Sequence, residues 1–471
     1  MAGRFLSLFG PMSRFLPEIN SPTRKVSFNE KLFWTAMALI IYLVMSEVSL
    51  YNVTGGLDNQ AIQIIFASQQ GKLTALGIGP IVTGGLILQL LIGSGIVNAD
   101  LGNSDDRSLF TAATKVFAIV LTGVQASAYL LAGVYGPDVG VGTAVIVFVQ
   151  LLIAGIVLLL LDEMLQKGWG IGSGISLFIL AGVAQNIIFS SFSPFGPLAD
   201  GKLHGAFIAL GQSILNGEGL AIAFFRLDPT TGALTGLPSM LGFITTVVVF
   251  VIVIYMEGIR VELPISRANY RGFRGKYPIK LLYVSNLPVI FASALFANIQ
   301  VFAQLLYGQF GSENIFVQFL GRFDQSGAID GLAYFVTAPR SLQQVGDDPV
   351  RALIFVVIMV TFAIIFSITW LEVGGLGPST VAKQLVDSGM QIPGFRRSGK
   401  SIETILKRYI PVVTIVGGAI IGLVASVSEF FGVFGSGMGV LLAVGILYQY
   451  YQLLVQEQVA EMYPAFGRVM S

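Results

Sequence analysis

LGIGPIVTGGLILQLL, residues 76–91, is long and apolar enough for a membrane helix, yet Gly77, Gly79, Pro80, Gly84 and Gly85 crowd into it. Glycine and proline weaken a helix in water. In a bilayer they are tolerated where neighbouring helices resatisfy the backbone, or where two backbones must approach closely. The stretch therefore reads as a helix facing other protein. It either packs tightly or lines a cavity, and taken alone it favours the packed helix slightly.

The surrounding chain supports a membrane setting. Of its 471 residues, 54% are hydrophobic and only 11% charged, with a mean hydropathy of +0.79. A soluble domain carries about 25% charged residues, so this composition describes a polytopic membrane protein. The net charge of +1 gives no global case for nucleic-acid binding. The lack of cysteine excludes disulfides, thiolate metal sites and cysteine nucleophiles. The single histidine, His204, falls in an expected loop, so neither a metal site nor a histidine-based triad is supported, and no cofactor is expected. About thirty residues precede the first apolar span, which is long enough to stay in the membrane, so no cleavable signal is read.

Ten spans of bilayer length can be placed, at 32–50, 73–96, 109–133, 141–161, 171–190, 238–257, 281–307, 349–371, 409–428 and 436–456. Residues 1–30 form an N-terminal tail whose Phe5, Leu6, Leu8, Phe9, Phe15 and Leu16 suggest a short interfacial segment broken at Pro11. Segment 58–71 is too short and polar to cross, and reads as a short helix that enters the membrane from one side and stops. With the N-terminus inside, 21 of the 27 lysines and arginines fall in inner segments, so both ends are expected in the cytosol. Two long inner loops, 258–280 and 372–408, each carry six basic residues and could dock a polyanionic or acidic partner. Ordinary positive-inside bias could also account for them.

Five spans on each side of the external segment 196–237 give the signature of an inverted repeat. The halves would run over 31–195 and 238–457, with a cytosolic tail at 458–471. The second and seventh spans each hold a proline followed two residues later by a branched aliphatic: Pro80 with Val82, and Pro288 with Ile290. The fifth and tenth each begin with Gly-Ser-Gly, at 172–174 and 435–437, followed five residues later by Ile179 and Leu442. No acid or base lies near the middle of any span; a few amides and hydroxyls such as Gln89, Gln125, Asn286 and Asn298 are the polar content there. Ion-coupled carriers keep ionisable groups inside the membrane, and an intramembrane hydrolase needs a nucleophile with a base. An aliphatic constriction, by contrast, closes a pore by dewetting and packing.

These residues are specific enough to name a family. The chain resembles the SecY family, the channel subunit of the protein translocon, in its archaeal and eukaryotic branch. Besides 76–91, the similarity is carried by GIGSGISLFI (170–179), GKYPIKLLYVSNLPVIFASALFANIQ (275–300), TWLEVGGLGPSTVAKQL (369–385), KRYIP (407–411) and GSGMGVLLAVGILYQYY (435–451). The resemblance implies an all-α fold of ten transmembrane helices, in two inverted five-helix halves around a central pore, with a re-entrant plug helix. The halves hinge at the loop after the fifth span.

Matched motif by motif, the resemblance implies a pore ring of Ile78, Val82, Ile175, Ile179, Ile290 and Leu442. It implies a plug that includes Ala61, Ile62, Ile64, Ile65 and Phe66, and a lateral gate with Thr83, Gln125 and Asn298. Arg267, Arg271, Arg274, Lys276, Arg396 and Arg397 match loops that meet the translating ribosome, a contact that should weaken with salt because ribosomal RNA is a polyanion. Without the family, the six ring positions would read as ordinary core residues. The outer loops 191–237 and 308–345 match least and carry no expectation. The function implied is a passive protein-conducting channel in the cell membrane, or in the endoplasmic reticulum of a eukaryotic host. Its implied partners are a SecE/gamma subunit, a beta subunit, the ribosome, signal peptides and nascent chains, and membrane lipid. The resemblance implies that the driving energy comes from a partner, and no enzyme activity is expected from this chain. The competing reading is a secondary transporter with inverted repeats.

Overall fold

The computed structural model describes residues 4–13, 16–53, 67–69, 71–93, 96–97, 104–131, 134–135, 140–198, 200–227, 237–267, 274–284, 287–311, 314–324, 327–388, 390–391 and 399–462. Ten helices carry the architecture: α1 (Phe28–Glu47), α2 (Gly79–Gly93), α3 (Ser104–Leu131), α4 (Val141–Met164), α5 (Gly174–Phe192), α6 (Met240–Gly258), α7 (Leu287–Phe310), α8 (Pro349–Val373), α9 (Gly399–Glu429) and α10 (Gly437–Met462). Among the described residues, nine helices are long and apolar enough to cross a membrane. The chain is a multi-pass membrane protein.

Local chemistry sets several helix starts. Ser27 and Glu30 form a reciprocal capping box at α1. Ser239 accepts the Gly242 amide at α6, and Asp348 accepts the Arg351 amide at α8, with Pro349 in the first turn.

The second expected span, 73–96, needs correction. Its helix, α2, has only 15 residues. At about 1.5 Å per residue it is roughly 22 Å long, short of the ~30 Å apolar layer. The chain ahead of it is held in turns, with Gly77 N–H donating to the Thr74 carbonyl at 2.8 Å. Pro80, the second helical residue, has no N–H to lose there. The described helix is thus too short to cross the layer by itself, and turns at 71–78 lead into it.

Two cores lie on either side of this start. One gathers Tyr42, Ala154, Leu158, Phe178 and Val183 around α1, α4 and α5, with Tyr42 and Phe178 stacked at 4.8 Å. The other gathers Val253, Ala292, Phe355, Met359 and Ala425 from α6 to α9. Small residues let neighbouring backbones meet. A Cβ on Gly84 would lie 3.1 Å from Ala118 N, one on Gly155 2.7 Å from Thr122 Cγ2, and one on Gly422 2.9 Å from Val360 Cα. On the other side, α4 leaves Val145, Ile146, Val149 and Ile153 exposed, and α6 leaves Val247, Val248, Val251 and Ile254 exposed. A lipid surface accepts such faces; water would not.

The two expected basic loops are largely built structure. In 258–280, β1 (Arg260–Arg267) pairs antiparallel with β2 (Arg274–Lys280), Arg260 opposite Lys280 and Ser266 opposite Arg274. In 372–408, a strand β3 (Met390–Gln391) adds to the other edge of β1. A helix, Pro378–Asp387, buries Val381, Ala382 and Leu385 in a core shared with Leu406 and Ile410 of α9. The helix that carries the ninth expected span, 409–428, begins earlier, at Gly399. Its added turns carry buried Ile402 and Leu406 at helical spacing, which polar neighbours hid from a hydropathy window.

The N-terminal segment also differs from its expectation. It forms two short helices, Arg4–Ser7 and Phe9–Ser13, so the break falls at Leu8 and Pro11 lies inside a helix. Leu6 is fully buried with Leu88 and Ala113, and Phe9 meets Phe117 at 5.5 Å. This segment packs on α2 and α3.

The connection from α5 to α6 is tied down by one arginine. Short helices Ala206–Leu215 and Leu220–Phe225 fill it. Arg226 is buried. Its Nε donates to Asp200 Oδ2 at 2.6 Å, Nη1 to the carbonyls of His204 and Pro238 at 2.8 and 3.0 Å, and Nη2 to the Leu203 carbonyl at 2.7 Å. Lys202 pairs with Glu218 beside it. Phe207 stacks on Phe192 at 5.1 Å and meets Phe243 edge-on at 4.8 Å, joining the end of α5 to the start of α6.

Candidate functional site: a collar of helix starts

Four helix starts converge. Ile78 immediately precedes α2, and Val82 is the fourth residue of that helix. Ile290 is the fourth residue of α7. Ile175 and Ile179 are the second and sixth of α5, and Leu442 is the sixth of α10. The two sequence echoes thus share a helical ordinal: Val82 with Ile290, Ile179 with Leu442. Pro80 and Pro288 likewise each occupy the second position of their helix.

All six aliphatic side chains meet in one apolar cluster. Ile78, Ile179 and Leu442 are buried, with Val82, Ile175 and Ile290 half-buried against them. Val82 also packs against the second core, so it lies where the two cores touch. Both Gly-Ser-Gly turns begin on a left-handed glycine, Gly172 at φ +74° and Gly435 at φ +76°, values that only glycine adopts without strain, but their serines differ: Ser173 is extended and Ser436 has φ +59°. Tyr450 of α10 donates its hydroxyl to the Ser173 carbonyl at 2.8 Å, tying one helix to the start of the other. The sequence gives no sign of that bond, because its two ends are 277 residues apart.

The three expected gate residues also meet. Asn298 Nδ2 of α7 donates to Thr83 Oγ1 of α2 at 3.4 Å, a long bond. Gln125 of α3 and Asn298 line a cavity of about 20 Å³ with Ser68, Leu76 and Tyr129, room for about one water. The joint between α2 and α3 on one side and α7 on the other is therefore partly polar.

Other expected residues are less fully placed. Ala61, Ile62, Ile64, Ile65 and Phe66 lie outside the described residues. The chain just after them is anchored: the Ala67 carbonyl accepts from the Tyr42 hydroxyl at 3.0 Å, and Leu73 N–H donates to the Val48 carbonyl at 2.9 Å. Arg271, Arg396 and Arg397 also lie outside the described residues. Arg267 ends β1 and Arg274 begins β2, so both flank the tip of the hairpin. Lys276 pairs with Glu262 across the hairpin, and that hydrogen bond holds the Glu262 carboxyl below its usual range.

Residues 72–451 match the family described as SecY. The chain belongs to the SecY family. Among its relatives, the protein translocase subunit SecY of Pyrococcus furiosus is 41% identical over 97% of both chains. A solved structure described as that of a protein conducting channel superposes with a TM-score of 0.82 at 37% identity, over 97% of this chain and 98% of the other. Sec61 in the canine ribosome-channel complex from the endoplasmic reticulum superposes with a TM-score of 0.80 at 36% identity, over 97% and 98%. The helical polytopic membrane fold expected from the SecY resemblance is the fold found, with the small β1–β3 sheet added to it. In SecY terms, the collar lies at the junction of helices two, five, seven and ten.

Proposed function

We propose that this SecY-family chain is the channel-forming subunit of a protein translocase. It passes unfolded polypeptides through the collar and releases apolar segments sideways between α2–α3 and α7–α8. The observation that carries this reading is the collar itself: six aliphatic side chains, contributed by four helix starts, in one cluster. Aliphatic contacts are non-directional and fit around whatever passes. Sorting then follows from partition, because about 20 apolar residues prefer hydrocarbon to an aqueous pore.

In this reading Ile78, Val82, Ile175, Ile179, Ile290 and Leu442 form the resting seal, and segment 58–71 plugs one side of it. Both termini face the cytosol. The hairpin with Arg267, Arg271, Arg274 and Lys276, and the segment with Arg396 and Arg397, offer a basic face to a translating ribosome. The relative seen in a canine ribosome-channel complex supports that partner. SecE/gamma and beta subunits complete the assembly, and the chain itself performs no catalysis.

The test is a ribosome-stalled secretory chain carrying photo-reactive residues along its length. Adducts with Val82 and Ile290 are expected from the segment midway through the channel. Efficient translocation without an adduct at either position would overturn the assignment.

Thr83, Gln125 and Asn298 would set how easily the seam opens. The closed seam holds the Asn298 amide against one distant partner, whereas the open seam lets it reach water. Thr83→Val with Asn298→Leu is expected to favour the closed seam by about 1 kcal/mol, the scale of one hydrogen bond. Marginally apolar segments should then integrate roughly fivefold less against translocation, as 1 kcal/mol implies, read by glycosylation mapping of a graded series.

A further inference from the structure

Two buried carboxylates repeat the internal symmetry of the fold at the feet of the collar helices. Asp162 lies in the last turn of α4, and Glu429 is the last residue of α9. Both are buried. Each turns back onto the start of the next helix. Asp162 Oδ1 accepts from the Ile175 amide at 3.0 Å and from the Ser173 hydroxyl at 3.0 Å, and Gln166 donates to Oδ2 at 2.8 Å. The Gly174 amide also faces this carboxylate. Glu429 Oε1 accepts from the Met438 amide at 3.5 Å, with the Gly437 amide and Ser436 hydroxyl turned to the same carboxylate. Arg340 lies within electrostatic reach of Glu429. Fourth and ninth helices thus hold the fifth and tenth, as an inverted repeat requires.

The glycine pattern exists to permit this. A Cβ on Gly174 would lie 2.7 Å from Asp162 Cα, and one on Gly437 2.8 Å from the Ala425 carbonyl. Only glycine as the first helical residue lets the carboxylate-bearing helix come so close. The first amides of a helix have no partner within it and carry its positive end, so a carboxylate is well matched to them. An α-helix transmits an axial shift at its start to its later turns. Ile179 and Leu442 lie five residues in, about 7.5 Å along the axis.

We propose that Asp162 and Glu429 are positioning residues that fix the height of Ile175, Ile179 and Leu442 in the collar, one carboxylate serving each half of the chain. This rests on reading the collar as the resting seal. What the site needs is an acceptor oxygen aimed at free amides. Asn and Gln keep that oxygen and alanine does not.

The test is resting ion conductance in planar bilayers of the complex purified from native membrane. Asp162→Ala and Glu429→Ala should each raise it, roughly tenfold if one charge-assisted hydrogen bond is lost. Asp162→Asn and Glu429→Gln should stay within twofold, roughly, of the parent, because the amide oxygen still accepts. Amide hydrogen exchange at 173–180 and 436–443 supplies a second readout: unchanged in Asn and Gln variants, faster in the alanine ones. Tight alanine variants overturn the proposal. So do leaking Asn and Gln variants, or faster exchange in them. Val82→Ser with Ile290→Ser is recorded alongside. If that variant leaks while the alanine variants stay tight, the positioning role fails and the seal stands. If it does not leak, the seal itself fails.

Discussion

Val82→Ser combined with Ile290→Ser is expected to leave a folded protein that leaks ions at rest. The two residues hold the same place in α2 and α7, and both are half-buried rather than sealed in the core. Removing them spares Ile78, Ile179 and Leu442, whose loss would also cost about 2–5 kcal/mol each in packing. The resting barrier in such a constriction is the cost of wetting an aliphatic surface. Replacing two branched aliphatics by hydroxyls lowers that cost by about 3 kcal/mol at the least, taking the small end of the burial scale. Since about 1.4 kcal/mol is a factor of ten, resting conductance should rise roughly a hundredfold. Planar-bilayer recording reads this directly, and parental conductance in the double variant would remove these two residues from any seal. Changing all six positions together should leak further, at the expense of the fold.

Arg226→Ala should loosen the α5–α6 connection more than any other single change in that region. The side chains of Arg226 and Asp200 are 3% and 1% exposed, and the guanidinium also satisfies three carbonyls. Removing one partner of a buried pair costs about 3–5 kcal/mol, because the other charge stays buried without it. Limited proteolysis and hydrogen exchange should therefore detect 193–227 opening in the variant, while the membrane helices keep their protection. A connection as protected as in the parent would refute the clasp.

The clasp also has a pH signature. Burial alone would raise the Asp200 carboxyl, but the Arg226 hydrogen bond, followed by the Lys202 amide, holds it below the usual carboxylate range. A folded-state pKa below the unfolded one gives stabilisation that is full above the unfolded value, about 3.9. It is lost as pH falls through the lower, folded value. The connection should stay closed at neutral and mildly acid pH and open only below about pH 4.

The transmembrane plan was legible because the bilayer imposes a length on apolar runs and excludes charge from them. The family motifs then marked the collar, since Pro80, Pro288 and both Gly-Ser-Gly turns sit at fixed distances from the aliphatics. What escaped was decided by partners distant in sequence or by amphipathic spacing. Nothing in a hydropathy profile says where the carboxylates of Asp162 and Glu429 turn. Nothing in the sequence marks Arg226 as a buried clasp, because its five acceptor contacts come from four separate residues. The early start of α9 was hidden because Ile402 and Leu406 face a neighbouring helix while Lys400 and Lys407 face away.

The small-residue crossings have a mechanical corollary. Gly84, Gly155 and Gly174 fasten α2 to α3, α3 to α4 and α5 to α4; Gly418, Gly422 and Gly437 do the same for α8, α9 and α10. Gly172 against Tyr450, and Gly435 against Val183, join α5 and α10 across the midline. Among the described residues, no glycine crossing joins α2 or α3 to α7 or α8. The glycine crossings thus bind α2 through α5 into one stack and α8 through α10 into another, with α5 and α10 as the seam that joins them; the α2–α3 face against α7–α8 is expected to part before either stack does.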